Sequence, residues 1–346
     1  MNINQTLLKE VQPFLEEYEV QYEEIEHILS EENSFNTRHK GTVGIVESIM
    51  RPHGKSHLFR CMQQLGNIEY TIRPLLNNQR DHVVHALLSF LLGIYLNEYF
   101  IKKHSGERVN CFQWEIAGLL HDIGYPLEIA NRAIITPFFA NANQIKQEHG
   151  IKNNLGFKVN LIGLEKLSGN KISLNVIQNQ LDSWELIIDT KSEYDQMINS
   201  GDINHGILGS MILLNIIDAM YEFHNPRRSY DRTEKDEIDW NQQFFESDII
   251  PACSAIFVHA LPATCFTKSK IDLIKAPLAF LLKLSDTLQE WGRPSFENPS
   301  GYSPSCFDIN VNNKAIYFKA KVPDETKKKM SDEISQCLSG SFVHII

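Results

Sequence analysis

The residues able to do chemistry are few, and they sit in apolar surroundings. His121 and Asp122 are adjacent at the end of the run Glu115-Ile116-Ala117-Gly118-Leu119-Leu120, with Gly124 and Pro126 just beyond. Gly124 is expected to be left-handed just past a helix end, and Pro126 to open the next helix. That puts His121 and Asp122 in the last turn, where unpaired carbonyls favour a cation. An isolated His-Asp step is most often a polar helix end at the surface. Burying the pair among leucines is costly unless something such as a metal ion compensates. The rest of the chain therefore decides the matter. His85, in Arg80-Asp81-His82-Val83-Val84-His85, has Ser89 one turn on and marks a narrow polar line on an apolar helix; His82 is the weaker alternative to it. Asp286 lies in Phe280-Leu281-Leu282-Lys283-Leu284-Ser285-Asp286, with Gln289 and Arg293 on its face. Each of these alone is more often a hydrogen-bonded core residue. Together, in the order His…His-Asp…Asp on separate apolar helices, they read as a ligand set. Two imidazoles and two carboxylates suit Mn, Fe, Ni, Co or Zn, with Mg weaker, and leave positions open for water and substrate.

Helices must position these residues. Residues 5–32 have Leu7, Leu8, Val11, Phe14, Leu15 and Tyr18 near helical spacing and predict an amphipathic helix with a second one following. Residues 33–75 mix short apolar pieces with Gly, Pro and Arg, and His53 and His57 stand there as loop or surface histidines. A central helix, apolar nearly all round, is expected over 80–103, then helices from about Phe112 to Asp122 and from Pro126 to Ala140. Residues 141–203 are rich in Asn and Gln with weak periodicity, too long for a plain loop; they read as an insertion that could act as a lid. Helices return over 205–223, 242–260 and from Pro277 to about Glu290, with a charged loop at 224–240. The C-terminal part changes character: strands flank Asn312-Asn313-Lys314 as a hairpin, a basic helix covers 325–339, and 342–346 forms a last strand. The expected organisation is an N-terminal helical region (1–75), a helical core (76–295) and a small α+β appendage (296–346).

Composition narrows the function classes. Of 346 residues, 42% are hydrophobic and 22% charged, which is ordinary for a globular protein. A net charge of −10 disfavours duplex nucleic acid as the main partner. The six cysteines are dispersed with no C-x-x-C pair, as expected of free thiols in a reducing compartment. The apolar run Val83–Phe100 is interrupted by His85, Asn97 and Glu98 and reads as a buried helix, so a cytoplasmic protein without a membrane partner is expected.

His85, His121-Asp122 and Asp286, in the settings Leu119-Leu120-His121-Asp122-Ile123-Gly124 and Leu282-Lys283-Leu284-Ser285-Asp286, resemble the HD-domain superfamily of metal-dependent phosphohydrolases over roughly 76–295. The resemblance implies an all-α core, a metal held by those four residues, and hydrolysis of a phosphomonoester or phosphodiester, with a nucleotide as the expected substrate. It further implies, for a two-metal subset, that His205 and His259 bind a second ion with Asp122 as the bridge. The chain departs from the subfamilies that cleave cyclic dinucleotides: Tyr125 stands where Lys is usual, and a later Gly-Tyr-Pro signature is missing. Triphosphohydrolases usually carry further histidines after the step, and Pro126-Leu127-Glu128-Ile129-Ala130 has none.

The expected mechanism is attack on phosphorus by a water whose pKa one or two bound ions lower. Asp122 and Lys283 are the catalytic candidates, and Arg80 and Arg293 the phosphate-binding ones, Arg293 favoured for its planar fork. The partner is then a small phosphorylated molecule; a homo-oligomer is compatible. Two other classes compete. One is a nucleotide-sensing signalling or scaffold protein with the appendage as its output surface. The other is a nuclease for single strands using Lys268, Lys270, Lys275 and the run Lys327-Lys328-Lys329.

Overall fold

A computed structural model of the chain describes residues 2–30, 32–52, 55–72, 81–156, 160–224, 242–292 and 301–346. The fold is mainly α with a small C-terminal α+β part. Four N-terminal helices come first: α1 (Ile3–Glu16), α2 (Tyr22–Ile28), α3 (Phe35–Met50) and α4 (Ser56–Ile72). Asn2 and Gln5 form a reciprocal capping box on α1, and the Ser34 side chain caps α3. The stretch 33–75 thus holds two helices that its broken periodicity conceals. Leu58, Met62, Leu65 and Glu69 are all buried at helical spacing on α4, a pattern that the neighbouring Gly, Pro and Arg residues mask in the sequence.

The central helix α5 (His82–Leu96) runs through a π turn (Asn97–Ile101) into α6 (Lys102–Ser105). Asp81 starts it by accepting the Val84 backbone N–H at 3.0 Å. By length and composition His82–Ser105 is apolar enough to cross a membrane, yet 83% of its apolar window is buried inside the protein. It is the axle of the core, packed by α1, by α3 and by α7 (Cys111–Leu120). The chain then forms α8 (Tyr125–Ala130), a π turn and α9 (Thr136–Glu148), followed by α10 (Ser173–Ser183) and α11 (Thr190–Ser200). Next come α12 (His205–His224), then α13 (Gln242–Phe244), which runs through a π turn into α14 (Ile250–His259), and α15 (Pro277–Leu288). The charged loop expected at 224–240 falls almost wholly outside the described residues.

The hairpin is present: β1 (Phe307–Val311) pairs antiparallel with β2 (Ile316–Ala320), Phe307 opposite Ala320. Helix α16 (Asp324–Cys337) follows, and β3 (Val343–Ile345) joins β2 in parallel. One hydrophobic core spans all three regions expected from the sequence, from Ile3 to Leu338. Polar ties reinforce it. Tyr18 and the buried Lys55 both engage the buried Glu115, and Trp291 Nε1 donates to Asn4 Oδ1 at 2.7 Å. From the stretch 141–203, Glu193, Gln196 and Asp202 border a depression that shares Glu128 and His205 with the site described next. Leu174, Ile177 and Leu181 of α10 are buried against the core, chiefly toward α14, and no described residue of 141–203 lines the cleft over the site.

Candidate metal centre

Helix ends build the site. His121 caps α7, His205 opens α12, His259 closes α14, Asp286 lies in the last turn of α15, and His85 sits in the first turn of α5. His121 is fully buried, and His85, Asp122 and His259 nearly so; the His-Asp step is no surface terminus. His85 Nε2 lies 2.9 Å from Asp286 Oδ1 and 3.3 Å from His121 Nε2. Asp122 Oδ2 faces this pair, at 3.8 Å from His85 and 3.5 Å from His121. Its other oxygen, Oδ1, faces His205 at 3.3 Å and His259 at 3.9 Å. His205 and His259 in turn bring their Nε2 atoms within 3.3 Å. Asp122 therefore joins two groups, His85–His121–Asp122 and Asp122–His205–His259, each with ligand atoms within 4.8 Å of one another.

The opposite nitrogen of each ring settles the tautomers. His121 Nδ1 donates to the Gly118 carbonyl at 3.0 Å and His259 Nδ1 to the Ile256 carbonyl at 2.5 Å; a carbonyl can only accept. His205 Nδ1 donates to Glu128 Oε2 at 2.6 Å. His85 Nδ1 meets Gln289 Oε1, and that amide's orientation is fixed because its Nε2 donates to the Trp291 carbonyl at 2.7 Å. A neutral ring protonated at Nδ1 presents a bare lone pair at Nε2. Four Nε2 atoms converge on the two oxygens of one aspartate, and each brings a lone pair when its ring is neutral. In this arrangement the Nε2 pairs repel across 3.3 Å unless a proton or a cation lies between them. Anchoring one imidazole nitrogen to fix the other is how proteins prepare histidine for metal.

In the metal-free chain these groups set one another's charge. Burial pushes the Asp122 carboxyl up, but His121, His259 and His205 outweigh it and hold it well below the usual carboxylate range. Burial likewise raises Glu128, and the His205 hydrogen bond more than reverses it. For His205, burial lowers the imidazole and the Glu128 and Asp122 interactions lift it above its ordinary 6.5. His259 is lowered, by burial and by the neighbouring His121 and His205.

All six sequence-predicted ligands thus come together, and His85, not His82, is the one within the cluster. The other candidates fare differently. Lys283 is buried, and its Nζ donates to the His259 carbonyl at 2.8 Å and to Glu333 Oε1 at 2.6 Å. Arg80 and Arg293 lie outside the described residues. Gly124 takes right-handed helical angles (φ −77°, ψ −12°), contrary to the expected left-handed cap. Its role is close approach: a Cβ there would overlap the His205 carbonyl oxygen and come within 2.8 Å of the Gly209 nitrogen. Gly206 does the same on the other side, where a Cβ would lie 2.8 Å from the Ile256 carbonyl oxygen. These two glycines let three helices approach closely enough for His205 to reach both His259 and Asp122.

Sequence reasoning missed three supports. Glu128 orients His205, although the stretch 126–130 attracts attention only for its lack of histidines. Gln289 orients His85; its place on the Asp286 face is the signal that pointed to it. Glu69 of α4 binds His82 through the ring Nδ1, and accepts the His82 backbone N–H at 3.1 Å. The His82 ring packs at a tilt of 33° on Tyr125 with centroids 3.7 Å apart, at the wall of a cleft of about 770 Å³. Asp122, His205, His259 and Asp286 also line this cleft, whose size suits a small-molecule ligand.

The donor set fits a divalent metal: unprotonated imidazole nitrogens, carboxylate oxygens and buried anchoring partners. The arrangement is compatible with an HD-type site. No protein-family model, curated protein or solved structure matches the chain.

Proposed function

We propose that this chain is an HD-type phosphohydrolase that binds two divalent metal ions and hydrolyses a phosphomonoester or phosphodiester bond in a small, nucleotide-sized substrate. One observation carries the reading: four histidine Nε2 atoms, on rings each held through Nδ1, converge on both oxygens of Asp122. His85, His121, Asp122 and Asp286 would hold one ion, and Asp122, His205 and His259 the other. Bound there, the ions supply Lewis-acid activation of a phosphoryl oxygen and a water acidic enough to attack at neutral pH.

The chain's own residues do the rest. Asp122 sets the spacing of the two groups and stays ionised. Glu128 and Gln289 hold imidazoles in the binding tautomer. His82, pinned by Glu69 and Tyr125 at the cleft wall, contacts substrate outside the ligand set. The Lys283 ammonium, committed to the His259 carbonyl and Glu333, acts as a positioning group for the His259 end of α14. The nuclease alternative draws less support. Lys275 pairs with Glu185, Lys270 donates to the Ser335 carbonyl at 2.6 Å, and Lys268 borders a different depression. That leaves no basic track leading to the cleft from those three lysines.

A panel of nucleoside phosphates, cyclic nucleotides and single-stranded oligonucleotides, assayed with Mn²⁺, tests the proposal. Turnover of a nucleotide that Asp122→Ala abolishes is expected. Full activity in Asp122→Ala, or no turnover of any phosphate ester by metal-loaded protein, would overturn it.

A further inference from the structure

Helix α16, outside the helical core that holds the ligands, forms one wall of the cleft. Glu325, Lys328, Lys329, Asp332 and Gln336 line it, a stripe repeating at helical spacing. The opposite face of the helix, with Met330 and Ile334, is buried. Backbone hydrogen bonds fix the end of α16 in place: Ile271 N–H donates to the Cys337 carbonyl at 2.8 Å, and Ser339 N–H to the Ile271 carbonyl at 2.9 Å. The Lys283–Glu333 bridge adds a tie beside the metal ligands.

The charges of the cleft then matter. Seven carboxylates and four cationic side chains line it, so the metal-free cleft is acidic and repels anions. Two divalent ions bring four positive charges and reverse that sign. Of the four cations, Arg132 pairs with Glu128 at 2.8 Å and Lys283 with Glu333 at 2.6 Å. Lys328 and Lys329 are exposed and make no ion pair among the described residues. Glu325 and Asp332 lie about a turn to either side, which confines the positive potential to the middle of the stripe.

We propose that Lys328 and Lys329 bind the distal phosphate of a ligand that carries two or more linked phosphates, one end of which occupies the metal centre. The inference rests on the two-metal reading of the site, and it makes α16 the element that selects substrate. The lysine run divides accordingly: Lys328 and Lys329 face the cleft, whereas Lys327 is not among its lining residues. An end phosphate at the metal centre leaves these lysines, on the α16 wall of the same cleft, for a second phosphate of the same ligand.

The test uses full-length protein loaded with Mn²⁺, and inorganic tripolyphosphate and orthophosphate as probes in calorimetric titrations, with metal content measured before and after. Wild type is expected to bind tripolyphosphate more tightly than orthophosphate. The double variant Lys328→Gln/Lys329→Gln should lose about tenfold in tripolyphosphate affinity, two ion pairs' worth. Its orthophosphate affinity and metal content should stay within about twofold, as should both affinities of Lys327→Gln. Unchanged tripolyphosphate binding in the double variant, an equal loss in Lys327→Gln, or no preference in wild type overturns the proposal. The readout is binding, so a chain that shows this pattern but cleaves nothing would sink the catalytic reading and leave this one standing.

Discussion

The four histidines of the centre are held at Nδ1 by three kinds of partner, and that difference predicts which substitutions are graded and which are not. Gly118 and Ile256 offer backbone carbonyls that no side-chain change removes. Glu128 offers a carboxylate, so Glu128→Gln keeps the shape but weakens the acceptor and frees the amide to present its N–H₂ instead. Metal affinity at the Asp122–His205–His259 group should fall about 10–100-fold, measurable by competition with a chelator, with the other group retained. Acid should empty the same group. A proton on His205 Nε2 competes directly with an ion, and in the metal-free chain this imidazole titrates above 6.5. Occupancy therefore declines as pH falls through that raised value and recovers as pH rises; metal analysis after dialysis at stepped pH follows it. The ligands themselves were legible because an ionisable residue on an apolar helix stands out. Their supports were less so: Glu128, the fourth residue of α8, looks like ordinary helix-end polarity, and the place of Gln289 on the Asp286 face did not by itself name its partner.

Helix crossings hold the two halves of the site together, and Gly124 and Gly206 mark where they are tightest. Gly124→Ala pushes a methyl into the His205 carbonyl at a backbone-to-backbone contact, where no side chain can yield. The expected cost is about 2 kcal/mol or more in a denaturant titration, together with loss of the His205-side ion; an unchanged midpoint would refute the close-approach argument. Glycine after His-Asp suggested a left-handed stop, since one sequence cannot show which helix will pass overhead. The long apolar helices, the hairpin and the last strand followed their periodicity closely. Helices α3 and α4 were obscured by the Gly, Pro and Arg residues around them, although Leu58, Met62 and Leu65 of α4 already stand at helical spacing. The stretch 141–203 reads as loose through its Asn and Gln residues, though α10 packs its Leu174, Ile177 and Leu181 inward.

At the scale of the whole molecule, the chain's two ends close on its middle. Asn4 of α1 receives the Trp291 indole N–H just past α15, and Glu333 of α16 reaches Lys283 within it. Composition separates the C-terminal part from the helical core, yet packing makes it a wall of the cleft, a relation carried by no local motif. Glu333→Ala leaves the Lys283 ammonium buried with the His259 carbonyl as its remaining acceptor of the two. A loss of about 1–3 kcal/mol in stability is expected, read from a denaturation midpoint, with reduced metal affinity if Lys283 positions His259 as assigned. A metal ion joining helices from both halves of the core should also raise the thermal midpoint, by mass action on the folded state.

Metal stoichiometry tests the central claim most directly. Elemental analysis of purified protein after Mn²⁺ loading and desalting should give two ions per chain for wild type, one for His205→Ala and none for Asp122→Ala, each variant checked for native helical content. Asp122→Ala that still holds two ions, or a folded wild type that holds none, would contradict the account.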